Sequence, residues 1–142
     1  MPITIKYLPQ PDIRPLGESG KERYVLNEDY SFAFYNREGL QALTIMKGFK
    51  YDGASVPRWA MALIGFERDG VHRAASLVHD WLYVNEGVVY NHNTSEDKNY
   101  TYNRHEADTI FLKGMEYHGI KSWHTRIAYI TVRGLGWIKR RF

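Results

Sequence analysis

The sequence predicts an α+β fold, a small N-terminal antiparallel sheet followed by a three-to-four-helix core. Three observations predict this. β-rich segments crowd the first 48 residues, apolar residues recur at helical spacing from about residue 71, and a Gly- and Pro-punctuated stretch divides the two regions. A chain of 142 residues can bury one real core, so residues 1–142 read as a single domain.

TIKYL at 4–8 is a short, partly alternating strand, and PQPDIRPLGESG at 9–20 reads as loop because Pro and Gly punctuate it. RYVLNEDYSFAFY at 23–35 carries two β-rich pieces around Asn27-Glu28-Asp29, which suggests a hairpin, and QALTIMKG at 41–48 supplies a third strand to pair with it. In GFKYDGASVPR at 48–58, Gly48 and Gly53 permit tight chain paths, Asp52 can accept backbone or cation contacts, and Ser55 can cap a helix entered through Val56 and Pro57. A helix-entry turn and a binding loop would use the same residues. Neither the glycine spacing nor the Lys-Ser/Thr pair of a nucleotide-phosphate loop is present.

A short helix is expected at 56–64 and a turn at 65–70. The helix over 71–84 follows from Ala74, Ala75, Val78 and Leu82 on one broad face, with His72, Ser76, His79 and Tyr83 as an adjacent seam. Asp80 projects about 100° around from His79, so the two neighbours have different destinations. Residues 85–102 read as a long polar surface loop. Asn103 with Glu106 three residues on predicts a capping box for a helix over 104–117 that Gly119 stops, with Ala107, Phe111 and Met115 inward. Asp108 lies at the margin of that apolar face and needs a partner if buried; Arg104 and His79 are the candidates. A further helix is expected over 122–138, capped by Ser122, with a break at Gly134 and Gly136; Arg126 and Arg133 interrupt it too early for a membrane span.

Charge is uneven: residues 1–120 carry 13 Lys or Arg against 16 Asp or Glu, whereas 121–142 carry six and no acid. The basic end suits an anionic surface or the solvated side of a terminal helix, and its short footprint disfavours nucleic acid. The absence of cysteine excludes disulfides and thiolate chemistry and is compatible with the cytoplasm. The N-terminus shows no basic segment followed by an apolar run, so no secretory signal is expected.

GFKYDGASVPR, HDWLY and RHEADTIFLKGM, in that order between Gly48 and Met115, resemble a phage and prophage family of small proteins with a domain of unknown function. Its pattern is GF-x-x-DGAS-x-P-R, H-D-x-L-Y and R-x-x-A-D-x-x-F. Tyr51 departs from it, standing where the family often has Thr. The resemblance implies a bacteriophage-associated structural or accessory protein of undetermined biochemical role, working with other phage or virion proteins in the host cytoplasm or the virion. VHDWLY also resembles the H-D-x-C-Y helix of secreted phospholipases of the A-two type. Carried over, that resemblance implies a phospholipase-like helix pair, with His79 as general base, Asp80 as calcium ligand, Tyr83 as support and Asp108 as the carboxylate orienting His79, and with Tyr51 and Gly53 in the cation loop. The departures are Val78 and Leu82 near the pair where that pattern has cysteines, and Y-D-G-A-S in place of a glycine-rich loop.

On residue chemistry, Asp52, Asp80 and the backbone carbonyls of 51–53 are oxygen donors suited to a hard cation, Ca²⁺ if any. His72 and His79, with His105 and Asp108, carry metal-ligating groups, yet seven helical residues separate the first two by about 10.5 Å. The alternative is a purely structural network, in which Asp52 and Asp80 accept bonds from the 53–58 turn or from Arg58, with Gly53, Ser55 and Arg104 supporting it. Three functions stay open: an accessory protein fastened by these motifs, a calcium-assisted lipid or ester hydrolase with His79 as base, and binding of an anionic surface or nucleic acid through the basic residues 121–142.

Overall fold

The computed structural model describes residues 3–16, 24–51, 73–90 and 99–119, with positions 126, 129, 130 and 133. It shows an α+β arrangement. Strands β1 (Thr4–Tyr7), β4 (Tyr30–Asn36) and β5 (Gly39–Ile45) form one antiparallel sheet in the order β1-β4-β5. Strands β2 (Ile13–Pro15), β3 (Tyr24–Leu26) and β6 (Lys50–Tyr51) form a second in the order β2-β3-β6. Helix α1 spans Arg73–Val84 and α2 spans Arg104–Tyr117, and between them β7 (Val88–Tyr90) pairs with β8 (Asn99–Thr101).

The expected hairpin around residues 27–29 is not a pairing of its two arms. β4 pairs with β5 from Tyr30↔Ile45 to Asn36↔Gly39, while β3 pairs with β2 and β6. The tight turn lies instead at Arg37-Glu38, where the Asn36 side chain accepts from the Glu38 N–H at 2.9 Å and Gly39 takes φ +112°. Asn27 is occupied elsewhere: its amide donates to Asp12 at 2.9 Å and its N–H to the Asp12 carbonyl at 2.9 Å, tying the chain before β2 to the end of β3. This anchoring explains why β2 forms inside a Pro-rich segment expected to be loop; Pro15 sits at the strand's last position. The expected 85–102 loop likewise contains β7 and β8, drawn in by Val89, which is buried.

The three-to-four-helix core is corrected to two helices among the described residues. The segment expected as a helix at 56–64 lies outside the described residues, as does most of 122–138, where Arg126, Tyr129, Ile130 and Arg133 are helical positions. Sheet residues supply much of the core among the described residues. Period-two alternation in β4 sends Tyr30, Phe32 and Phe34 inward, joined from β5 by Leu43 and Ile45, all buried. Trp81 of α1 meets Phe32 edge-on at 6.0 Å, and Tyr102 donates its hydroxyl to Gln41 of β5 within the core.

α1 is buried along nearly its whole length, including Ser76, His79 and Asp80. It ends where Gly87, at φ +81°, returns its N–H to the Leu82 carbonyl at 2.8 Å. The capping box of α2 is present: the Asn103 side chain accepts from the Glu106 N–H at 2.8 Å, and Glu106 accepts from the Asn103 N–H at 3.0 Å. α1 and α2 pack closely because Gly114 lets Ala75 and Leu8 approach where a side chain would stand. That close packing brings the polar residues of the two helices within reach of one another.

Candidate functional site

The α1–α2 interface holds a polar cluster in an apolar setting. His79, Tyr83 and Asp108 are all buried. His79 and Tyr83 are four positions apart, so they occupy one face of α1 and point to the same carboxylate on α2. His79 Nε2 lies 2.7 Å from Asp108 Oδ1, and the Tyr83 hydroxyl donates to that same oxygen at 2.7 Å. The His79 ring is further confined by the rings of Tyr83 and Phe111, with centroids at 4.3 and 5.1 Å.

The other carboxylate oxygen is taken by a residue that the sequence did not single out for this place. Arg133 Nη1 donates to Asp108 Oδ2 at 3.0 Å. Arg104, the nearer candidate in sequence, makes no hydrogen bond to Asp108. The only hint of Arg133 in the sequence was its position as a charge inside an apolar helical pattern. The expected anionic-surface role of residues 121–142 falls mainly outside the described residues, and Arg133 directs its charge inward.

Electrostatics follow from this arrangement. Burial alone would lower the His79 pKa, but its hydrogen bond to Asp108, the approach of Asp80 Oδ1 to within 3.9 Å of Nδ1 and the charges of both carboxylates outweigh burial and hold it above the ordinary value. Burial would raise the Asp108 pKa, and the bonds from His79, Tyr83 and Arg133 reverse that and hold it low. The cluster therefore keeps Asp108 anionic, and an anionic acceptor at Nε2 calls for a proton on that nitrogen. Whenever the ring is neutral, its lone pair is on Nδ1. This nitrogen has no hydrogen-bond partner although it is buried.

His79 and Asp80 do not bond to each other: Nδ1 and Oδ1 are 3.9 Å apart. Asp80 is buried on α1, while Asp52, Gly53, Ser55 and Arg58, expected opposite it, lie outside the described residues, as does His72. His105 is exposed and takes no part in the cluster; it lies 3.5 Å from the Tyr129 hydroxyl. Among the described residues no group of three metal-ligating side chains gathers, and no helix is long and apolar enough to cross a membrane.

Two comparisons bear on the chain. A family model described as a protein of unknown function (DUF1353) matches residues 24–132, a span that includes β3 to β8, both helices and His79, Tyr83 and Asp108, and stops one position before Arg133. An uncharacterized protein, y4jT, of Sinorhizobium fredii (strain NBRC 101917 / NGR234) is 30% identical over 125 residues, covering 88% of this chain and 30% of that protein. The chain thus spans less than a third of the length of the curated relative it matches. No solved structure matches the chain.

Proposed function

Since the chain belongs to the DUF1353 family, whose biochemical role is undetermined, we propose that this member is a phage-encoded accessory protein acting as a lipid or ester hydrolase, with His79 as general base. One observation carries the proposal: His79 is held by Asp108 through Nε2 at 2.7 Å, while its buried Nδ1 faces Asp80 Oδ1 only at 3.9 Å and has no hydrogen-bond partner among the described residues. A histidine that served only as a fastener would gain nothing from that unpaired nitrogen, because a buried polar atom without a partner is costly.

In the reaction Nδ1 removes a proton from water, and the water oxygen bonds to the ester carbonyl carbon. When the carbon–alkoxy bond breaks, His79 returns the proton to the leaving alkoxide, giving a carboxylic acid and an alcohol. Asp108 steadies the imidazolium formed between these steps. Tyr83 and Arg133 hold Asp108 in place. The phospholipase resemblance brings Ca²⁺ with it, but the described residues offer Asp80 as a lone carboxylate for such an ion, so no step is derived through a cation.

Hydrolysis of phospholipid vesicles and of simple esters, compared between the intact protein and His79→Gln, tests the proposal. Loss of activity in a variant with unchanged circular dichroism supports it; identical background rates in both proteins sink it. An accessory role in the host cytoplasm or virion predicts co-purification with other phage proteins.

A further inference from the structure

Among the described residues, the buried atoms Tyr51 Oη, Ser76 Oγ and His79 Nδ1, on α1 or on the strand that packs against it, have no hydrogen-bond partner. Their residues are 4%, 1% and 2% exposed, so bulk solvent does not satisfy them. The fold brings them into one neighbourhood. Ser76 precedes His79 by three positions and Asp80 by four, so the three are neighbours on the helix surface. Tyr51 ends β6, the strand that packs against α1.

The Tyr51 hydroxyl also feels charges carried by α1. Burial pushes its hydroxyl pKa up; the Asp80 carboxylate is the largest charge acting with burial, and Arg73 acts against it. Arg73, Ser76 and Asp80 fall at i, i+3 and i+7, a single row along α1, and Tyr51 lies on the strand that packs against that helix.

We propose that Tyr51 Oη, Ser76 Oγ and His79 Nδ1 together bind one water molecule. Its role as the nucleophile that His79 deprotonates rests on the hydrolase reading above. The chemistry of the atoms matches. Buried waters typically make about three hydrogen bonds. The Tyr51 hydroxyl donates to the water oxygen, Nδ1 accepts one water proton, and the Ser76 hydroxyl, able to act either way, completes the set. Donation from Tyr51 and acceptance at Nδ1 fix both the position and the orientation of the molecule. Phenylalanine at 51 and alanine at 76 would fill nearly the same space without leaving unpaired hydroxyls, so packing alone does not call for these residue types.

A crystal structure of the full chain, with those of Tyr51→Phe and Ser76→Ala, is the test, joined to ester kinetics and thermal unfolding of all three. An ordered water bonded to the three atoms, lost or displaced in each variant, supports the site whether or not the protein hydrolyses esters. In an active protein, kcat falls about 100-fold in Tyr51→Phe with KM little changed, as for a misplaced reactant. Its unfolding temperature stays level or rises, which a structural hydroxyl would not allow. Direct bonding of the Tyr51 and Ser76 hydroxyls to protein groups, with no water at Nδ1, overturns the inference even if hydrolysis is measured. Full kcat with a lowered unfolding temperature in Tyr51→Phe overturns it equally.

Discussion

His79 and Asp108 stand 29 positions apart and meet across the α1–α2 interface with Nε2 2.7 Å from Oδ1. Asp108 is wholly buried, and it accepts from Tyr83 on the same oxygen and from Arg133 on the other. Removing the carboxylate leaves three donors without their acceptor, one of them a cation. Asp108→Ala is therefore expected to cost about 3–5 kcal/mol, the scale for breaking a buried charge pair from one side. Denaturant unfolding should show a lower midpoint with an unchanged slope. A midpoint within error of the parent protein would mean that the cluster does not hold the helices together.

The same pair sets a pH dependence of opposite sign on its two sides. Burial lowers the His79 pKa, but the Asp108 bond and the carboxylate charges raise it by more, so the folded value lies above 6.5. The stability it supplies is full below the unfolded pKa and is lost as pH rises through the folded one. Asp108 is shifted down, its bonds outweighing burial, so its contribution is present above the ordinary carboxyl range and lost as pH falls through its folded pKa. Unfolding free energy measured from about pH 4 to about pH 9 should decline toward the alkaline end in the parent and decline less in His79→Gln. Equal alkaline slopes in the two proteins would remove His79 as the titrating group. For a hydrolase the acid limb of the rate profile should likewise lie above pH 6.5.

The elements that the sequence revealed best are those whose signals are local. The α2 cap was legible because Asn103 and Glu106 are three residues apart and satisfy each other's backbone. The His79 partner was legible because a carboxylate on the margin of an apolar face must be paired once buried. Strand partnership was less legible. β3 and β4 are separated by a turn-like Asn27-Glu28-Asp29, yet they join different sheets, since pairing depends on long-range contacts such as Asn27 with Asp12. Arg133 was missed for a similar reason, lying 25 positions from Asp108 with no periodic relation to it. Tyr51 and Ser76 were named for a loop and a helical seam, but that their hydroxyls lack partners is visible only in three dimensions.

Arg133 offers a graded test of the cluster. Its side chain is 33% exposed, so water screens and partly replaces what the ion pair provides. Arg133→Met should lower stability by about 1–2 kcal/mol, less than loss of Asp108, because a hydrogen bond to a charged group is involved but solvent remains at hand. Arg133→Lys keeps the charge but loses the planar geometry of the guanidinium and should restore only part of the loss. Thermal unfolding of the three proteins in parallel measures this. A Met variant as stable as the parent would show that Tyr83 and His79 alone suffice to hold Asp108.

The spacing of the helices can be tested at Gly114. A Cβ placed there would lie 3.0 Å from Leu8 Cδ2 and 3.2 Å from Ala75 Cβ. The Leu8 atom is the end of a flexible side chain and can turn aside, whereas Ala75 Cβ moves only with α1. In Gly114→Ala, helix propensity returns about 1 kcal/mol and offsets most of the strain, so stability should change little. Gly114→Val adds two methyl groups and loses that balance, costing about 1–3 kcal/mol by overpacking. Because Ala75 precedes His79 by one turn, displacing α1 at Ala75 also moves the imidazole away from Asp108. The ¹⁵N shift of His79 Nε2 should therefore change in Gly114→Val and stay near its parent value in Gly114→Ala. A large unfolding cost with an unmoved Nε2 shift would separate helix packing from the geometry of the cluster and disprove the link between them.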